Sequence, residues 1–566
     1  MRAFLIVLLL GFPPVPIWPV LAQDRPDSGS GSGSVSGLGL ERHGPREDDE
    51  DRASSAEQEE EGEEDQEPVV SHQTLDLDGR TLAYSATVGT LPIRDERGET
   101  TGSVFYVAYT LDGVAKPEDR PLMFSFNGGP GSSSVWLHLG ALGPRRVPMP
   151  EEPGIPAPPY RLVPNDQTWL TEADLVFIDP IGTGYSRASD PEKASEFFSL
   201  RGDIAAVGEF IRLYLTRNRR WTSPLYLVGE SYGTTRAAGL SEYLVDRGIA
   251  LNGVVLVSSV LNFQTVRFGT GNDLPYVLFL PTYAATARYH GRLADDLEDR
   301  PLGEFLDEVE AFASGDYARA LQLGDRLSDE ERASVLDRLA RYTGLDPEYL
   351  EDVGLRIEIQ RFCKELLRDE SRTVGRLDSR FRGIDPEPAG DSPSFDPSLA
   401  AIRPPYTSTL NQYLRTELGY ESDLPYHILG EGVRGWDYGV SSAGGGGFAD
   451  TGAELRDALA KNPHMRILVA SGYYDLATPY AATEYTLANL RLDPELRDNI
   501  RIYEYEAGHM MYIHEPSLVA LKRHVSAFIA ESDGVEGLSS APTRPDPGGD
   551  RAQDERRECE PEGSNG

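Results

Sequence analysis

The pentapeptide Gly229-Glu230-Ser231-Tyr232-Gly233 constrains this chain more than any other feature. It follows the strand-like run Leu225-Tyr-Leu-Val228 and precedes a helical pattern that begins near Thr234. A serine on a sharp strand-to-helix turn needs small residues two positions either side, because bulk there clashes with the adjoining strand and helix. Such a turn lifts the hydroxyl clear of the sheet edge. The plain alternative is a Gly-rich turn, and the strand-to-helix setting argues against it.

A serine hydroxyl is a poor nucleophile until a base takes its proton, so a histidine and an orienting acid are required. In hydrolases built on this elbow they follow in the order serine, acid, histidine, each from a loop after a later strand. The buried-strand pattern Arg466-Ile-Leu-Val-Ala-Ser-Gly472 breaks into Tyr473-Tyr474-Asp475, followed by Thr478-Pro479. The alternating run Ile500 to Tyr505 ends in Glu506-Ala507-Gly508-His509-Met510. Asp475 and His509 are therefore the expected partners of Ser231. Of the nine histidines, His43, His464, His514 and His524 read as surface, helix or low-complexity positions. His138 and His290 are candidates for lining a pocket, but neither follows a late strand. Asp179 ends the strand-like run from Asp174 to Ile178, yet it precedes the serine, the wrong order for this fold.

A second Gly-rich element suits the electrophilic side of such a site. Asn127-Gly128-Gly129-Pro130-Gly131 follows the apolar run Pro121 to Phe126. The oxyanion of an acyl-transfer intermediate must meet preorganised donors, one N–H following the nucleophile and one from an early loop. Tyr232 and Gly129 are the expected suppliers of this oxyanion hole.

These residues resemble the serine carboxypeptidases. The matching stretches are Asn127 to Gly131, Asp179-Pro-Ile-Gly-Thr-Gly-Tyr-Ser186, Gly229 to Gly233, the Gly472 to Asp475 loop and Gly508 to Met510, in the family's order. The resemblance implies that Asn127, the Gly128 N–H and Glu230 bind a substrate's terminal carboxylate, and that Met510 lines the pocket for the departing residue. Glu230 and a bound carboxylate resist being ionised together, so binding is expected to weaken as pH rises towards neutral. The chain departs from the family pattern at Ser132, where many members have cysteine, at Ser125, where tryptophan is usual, and at Ala141, where a glutamate is frequent. Losing an acid at 141 is expected to alter side-chain preference or the pH profile. Many members carry several disulfides, whereas this chain has two cysteines, Cys363 and Cys559, in a helical stretch and a polar tail. No bridge between them is expected, and packing alone must hold the fold.

Composition bounds the rest. Residues 1–22 read as a signal peptide, with a short apolar run and a small-residue cut after Ala22, which predicts export to a periplasmic or extracellular space without stable membrane insertion. Residues 23–68 are Gly/Ser-rich and then acidic, too poor in apolar residues for a core, and read as a disordered linker; 534–566 read as a disordered polar tail. The net charge of −38 argues against nucleic-acid binding, which requires a basic face.

Between these ends, strand and helix patterns alternate, which predicts an α/β-hydrolase fold over 69–261 and 436–533. The intervening 262–435 is mainly helical and is expected to form a cap over the site. Ser328-Asp-Glu-Glu331 reads as a capping box, Pro347 to Asp369 carries helical apolar spacing, and Tyr283, Tyr289 and His290 are candidate lining residues. The sequence thus predicts a serine-type carboxypeptidase acting on peptides or proteins with a free C-terminus. An acyltransferase or esterase with the same triad is the alternative, and a catalytically silent binding protein is disfavoured by the intact triad. A proline-releasing aminopeptidase, which also uses a Gly-Gly-Pro-Gly loop, is disfavoured by Asn127 and by Glu230-Ser231-Tyr232. No cofactor is expected and no metal site, since no paired His or Cys spacing of ligand type occurs. Residue preference and oligomeric state are not legible.

Overall fold

A computed structural model describes residues 67–77, 79–439 and 447–532. The expected signal segment (1–22), the linker up to residue 66, the polar tail (534–566) and Cys559 within it lie outside the described residues.

The central sheet is built from β1 (Val69–Leu77), β2 (Arg80–Arg94), β3 (Thr100–Leu111), β4 (Leu122–Phe126), β5 (Asp174–Ile178), β6 (Leu225–Glu230), β7 (Gly253–Val257), β8 (Arg466–Gly472) and β9 (Ile500–Tyr505). Their spatial order is β1-β2-β3-β5-β4-β6-β7-β8-β9, with the short strand Arg187–Ala188 added against β3. From β5 to β9 every pairing is parallel, and β1, β2, β3 and β5 pair antiparallel. β4, β5, β6 and β7 are buried at every position, which explains their continuous apolar runs: a parallel strand is covered on both faces.

The pleat sends alternate residues to two different cores. Val228, Val255 and Leu468 join one, while Leu227, Val254 and Ile467 join the other. The second core is closed by α1 (Leu200–Arg217) and α2 (Tyr232–Val245). This parallel sheet flanked by helices, with a strand-turn-helix at Ser231, is the α/β-hydrolase fold. In register, Val257 pairs with Glu230 and with Ala470, and Gly472 with Tyr505, so β6 and β7 end level and β8 and β9 run two residues beyond them at the same edge, where ligand sites of open α/β sheets form.

The helical insertion differs from expectation in two respects. A third core gathers Phe279, Tyr283, Phe305, Leu339 and Phe362, starting from α3 (Leu274–Tyr289), and takes in Tyr474, Leu476 and Tyr480 from around the Asp475 loop. α4 (Pro397–Thr416), expected within the cap, instead packs Tyr406, Leu410 and Leu414 into the first core alongside α5 (Glu515–Ser532). Its apolar stripe faces the sheet. The helical spacing over Pro347 to Asp369 is also broken, into Pro347–Asp352 and Ile359–Glu365, because Gly354 and Leu355 both take positive φ. The capping box at Ser328 is complete: its hydroxyl accepts from the Glu331 N–H, and the Glu331 carboxylate accepts from the Ser328 N–H. Among the described residues no helix is long and apolar enough to cross a membrane.

Candidate active site

The elbow stands where β6 hands over to α2. Ser231 has φ 60° and ψ −130°, a conformation that costs a non-glycine residue about 1–3 kcal/mol and persists only where its surroundings enforce it. The Ser231 N–H donates to the Val257 carbonyl at 3.0 Å, and the Thr234 N–H and hydroxyl donate to the Ser231 carbonyl at 2.8 and 2.7 Å. A Cβ at Gly229 would collide with the Gly233 carbonyl, and one at Gly233 would sit 2.9 Å from the Phe126 carbonyl. Both glycines are therefore steric requirements of the turn.

The two expected partners come together at the ends of β8 and β9. His509 Nδ1 lies 2.7 Å from Asp475 Oδ2. The Asp475 carboxylate also accepts from the Ala477 N–H (2.7 Å), the Thr478 N–H (3.0 Å) and the Thr478 hydroxyl (2.7 Å). An acceptor-only carboxylate on Nδ1 holds the ring proton there and leaves Nε2 as the basic nitrogen. Burial pulls the His509 pKa down, but the Asp475 charge and hydrogen bond, with Glu230 nearby, outweigh it and hold it above the ordinary value. The His509 main chain is fixed at both ends. Its N–H donates to the Leu377 carbonyl (2.7 Å) and its carbonyl accepts from the Ser258 hydroxyl (2.6 Å). Leu377 thus ties the insertion directly to the histidine loop, as the Arg376 carbonyl does to the acid loop by accepting from the Leu476 N–H at 3.0 Å.

The Gly-rich loop packs on the elbow so closely that a Cβ at Gly128 would collide with the Tyr232 N–H. As the first residue of α2, Tyr232 has an N–H without an intrahelical acceptor. A buried cation that sequence reasoning missed holds the two elements together. Arg236, 1% exposed, donates through Nε to Asp203 Oδ2 (2.8 Å) and through Nη1 to the Asn127 carbonyl (2.7 Å), and its guanidinium lies 5.1 Å and 5.3 Å from the Phe126 and Tyr232 ring centroids. The Tyr232 hydroxyl also donates to Asp203, at 3.2 Å. An arginine within the small-residue run Thr234-Thr-Arg-Ala-Ala-Gly239 was the available signal.

Glu230 is buried next to this constellation, and the Tyr512 hydroxyl donates to its Oε2 at 2.6 Å. Burial pushes its pKa up to about 7, against the opposing pull of His509, Tyr512 and Asn127. The Asn127 Oδ1 accepts from the Leu137 N–H (3.1 Å), while Nδ2, close enough to Glu230 to favour its ionised form, makes no hydrogen bond of ordinary geometry among the described residues. A carboxyl whose folded pKa is raised from 4.5 contributes full stability below pH 4.5 and loses it as pH climbs to about 7. At about 1.4 kcal/mol per pH unit the cost comes to about 3.5 kcal/mol. Glu230→Gln is therefore expected to gain stability relative to wild type between pH 4 and pH 8 by about that amount, read from urea unfolding at both pH values; a difference independent of pH contradicts this.

The remaining candidates separate clearly. Met510 is buried in the first core, beside His509 in sequence. Asp179 is not the partner of His509: it accepts from the Ser134 N–H and hydroxyl (both 2.8 Å) and from the Tyr426 hydroxyl (2.7 Å). His138 is buried against Phe177 with Nε2 2.7 Å from the Tyr109 hydroxyl, and burial lowers its pKa to about 3. Tyr283 does not line the site: its hydroxyl donates to the Ile357 carbonyl (3.1 Å) and its ring stacks on Phe362, since this face of α3 turns to the insertion's own core. His290 braces the insertion through the Ser379 carbonyl (2.7 Å), whereas Tyr289 is 40% exposed with its ring 5.4 Å from Tyr474. Ser132 accepts from the Trp136 indole N–H at 2.8 Å, and Cys363 is buried and free. Among the described residues no group of three or more His, Cys, Asp or Glu side chains is placed to hold a metal ion.

Residues 85–277 match the family described as serine carboxypeptidase. Among curated proteins the chain is similar to Serine carboxypeptidase-like 5 of Arabidopsis thaliana, 27% identical over 233 residues that cover 39% of this chain and 50% of that protein. It is also similar to Serine carboxypeptidase S10 family member 1 of Dictyostelium discoideum, 24% identical over 233 residues, 41% of this chain and 51% of that one. The chain spans about half the length of these relatives. Among solved structures it is similar to Kex1(Δ)p, a prohormone-processing carboxypeptidase from Saccharomyces cerevisiae, with TM-score 0.48 and 17% identity over 79% of this chain and 91% of that chain. The fold assignment rests on the sheet order itself.

Proposed function

We propose that the chain, whose residues 85–277 match the serine carboxypeptidase family, is a serine-type carboxypeptidase that removes the C-terminal residue of peptides or proteins. The observation that carries this reading beyond a generic serine hydrolase is the buried Glu230 beside the elbow, with the unpaired Asn127 Nδ2 next to it. An acid kept protonated by burial donates a hydrogen bond to an incoming carboxylate, and an unpaired amide donor gains the partner it lacks.

In this scheme the Ser231 Oγ attacks the last peptide carbonyl while His509 Nε2 takes its proton, and Asp475 stabilises the imidazolium that forms. The Gly129 and Tyr232 N–H groups receive the oxyanion. Collapse of the intermediate expels the terminal amino acid, whose amine takes the proton from His509. Water, activated by the same histidine, then attacks the acyl-enzyme and frees the shortened peptide. Asn127, the Gly128 N–H and Glu230 hold the terminal carboxylate, and Met510 forms a wall of the pocket for the departing residue. Export to a periplasmic or extracellular space, read from residues 1–22, completes the proposal.

The test is the pH dependence of KM. Glu230 is a donor when protonated and a repelling charge when ionised, so KM for an N-blocked dipeptide is expected to rise as pH passes from 5 through about 7. Glu230→Gln, neutral at every pH, flattens the rise. A wild-type KM that stays level or falls over this range overturns the carboxylate-binding role.

A further inference from the structure

Two buried phenols stand close to Glu230. Tyr512 follows His509 in the turn Met511–Ile513, and Tyr406 arrives from α4. Both rings are buried. They converge on Gly140, where a Cβ would collide with the Tyr512 ring edge and come within 2.8 Å of the Tyr406 hydroxyl. Gly140 thus admits the pair. The Tyr512 hydroxyl donates to Glu230 Oε2 at 2.6 Å, whereas the Tyr406 hydroxyl has no partner among the described residues.

We infer that Tyr512 is the residue that positions Glu230 for the substrate's terminal carboxylate, by keeping Oε2 an acceptor so that the proton Glu230 carries stands on Oε1. This rests on the carboxypeptidase reading. The Tyr512 hydroxyl proton has no other acceptor among the described residues, so moving the Glu230 proton to Oε2 would leave a buried donor unpaired. Burial raises the Tyr512 pKa well above 10, so the phenol keeps its proton at every pH at which Glu230 titrates. The groups facing Glu230 are His509 and Asp475 from the loops after β9 and β8, Tyr512, Asn127 from the Gly-rich loop and Tyr406 from α4. Only one of them, Tyr512, is hydrogen-bonded to its carboxyl with ordinary geometry.

The experiment compares the full-length wild type with Tyr512→Phe on two substrates: an N-blocked dipeptide with a free C-terminus, and the matching N-blocked ethyl ester, whose leaving group carries no carboxylate. The variant is expected to raise KM for the free acid about tenfold at pH 5.5 with kcat within about twofold, and to leave the ester unchanged. Its KM is also expected to climb at a higher pH than in wild type, because a donor favouring ionised Glu230 is gone. Gly140→Ala, which keeps the hydroxyl but displaces the ring, should reproduce the free-acid effect. Equal losses on acid and ester, or no change in either, overturn the inference. If the wild type itself shows no dependence on the free carboxylate, the carboxypeptidase reading falls and takes this inference with it.

Discussion

Ser231→Ala is expected to lower kcat on an N-blocked dipeptide by about 10⁴- to 10⁶-fold while KM changes little. The expected loss is large because in the proposed mechanism the three side chains act as one unit. Without the hydroxyl, the His509–Asp475 pair, 2.7 Å apart, has no proton to take and no nucleophile to activate. What survives is the rate enhancement of oxyanion donors and substrate binding alone, about 10³–10⁴ over water. His509→Ala is therefore expected to cost a similar amount, and the double variant no more than either single one. Steady-state kinetics on all three decide the matter: a Ser231→Ala protein that keeps a tenth of wild-type turnover contradicts the assignment, and additive losses contradict the concerted role.

Arg236→Met is expected to cost both stability and turnover. It leaves Asp203, fully buried, without its cation, and breaking one half of a buried pair costs about 3–5 kcal/mol. It also releases the Asn127 carbonyl, and so frees the Gly-rich loop from the helix that carries the Tyr232 N–H. If the oxyanion donors depend on that clamp, kcat falls by about 10²- to 10³-fold. The double variant Arg236→Met, Asp203→Leu separates the two effects. Replacing both charges by apolar groups is expected to recover most of the stability in urea unfolding but not the turnover. Recovery of both together shows that the pair serves folding alone.

Local features of the sequence were the legible ones. The strands around Val228, Val255 and Val469 appear as continuous apolar runs because burial on both faces leaves no other composition open. The elbow is legible because its two flanking glycines answer to contacts within the turn and the adjoining loop. Asp475 and His509 could be found because each sits just past a recognisable strand. The polar scaffold was not legible. Arg236 meets Asp203 across 33 residues and Tyr512 meets Glu230 across 282, and nothing in either local pattern names the partner. The histidine N–H finds its acceptor on the insertion, at Leu377, by tertiary placement alone. α4 was misjudged for a related reason: helical periodicity shows that a helix has an apolar face, but not which core that face joins.

The most direct measurement incubates the full-length protein at mildly acidic pH with an N-blocked dipeptide, its C-terminally amidated twin and the matching ester, alongside Ser231→Ala. Release of the terminal amino acid from the free-acid peptide, little or none from the amide, and loss of both activities in the variant are expected of an enzyme that reads the terminal carboxylate through Glu230 and Asn127. Turnover of the ester alone would contradict it, leaving a serine hydrolase or acyltransferase on the same triad in its place.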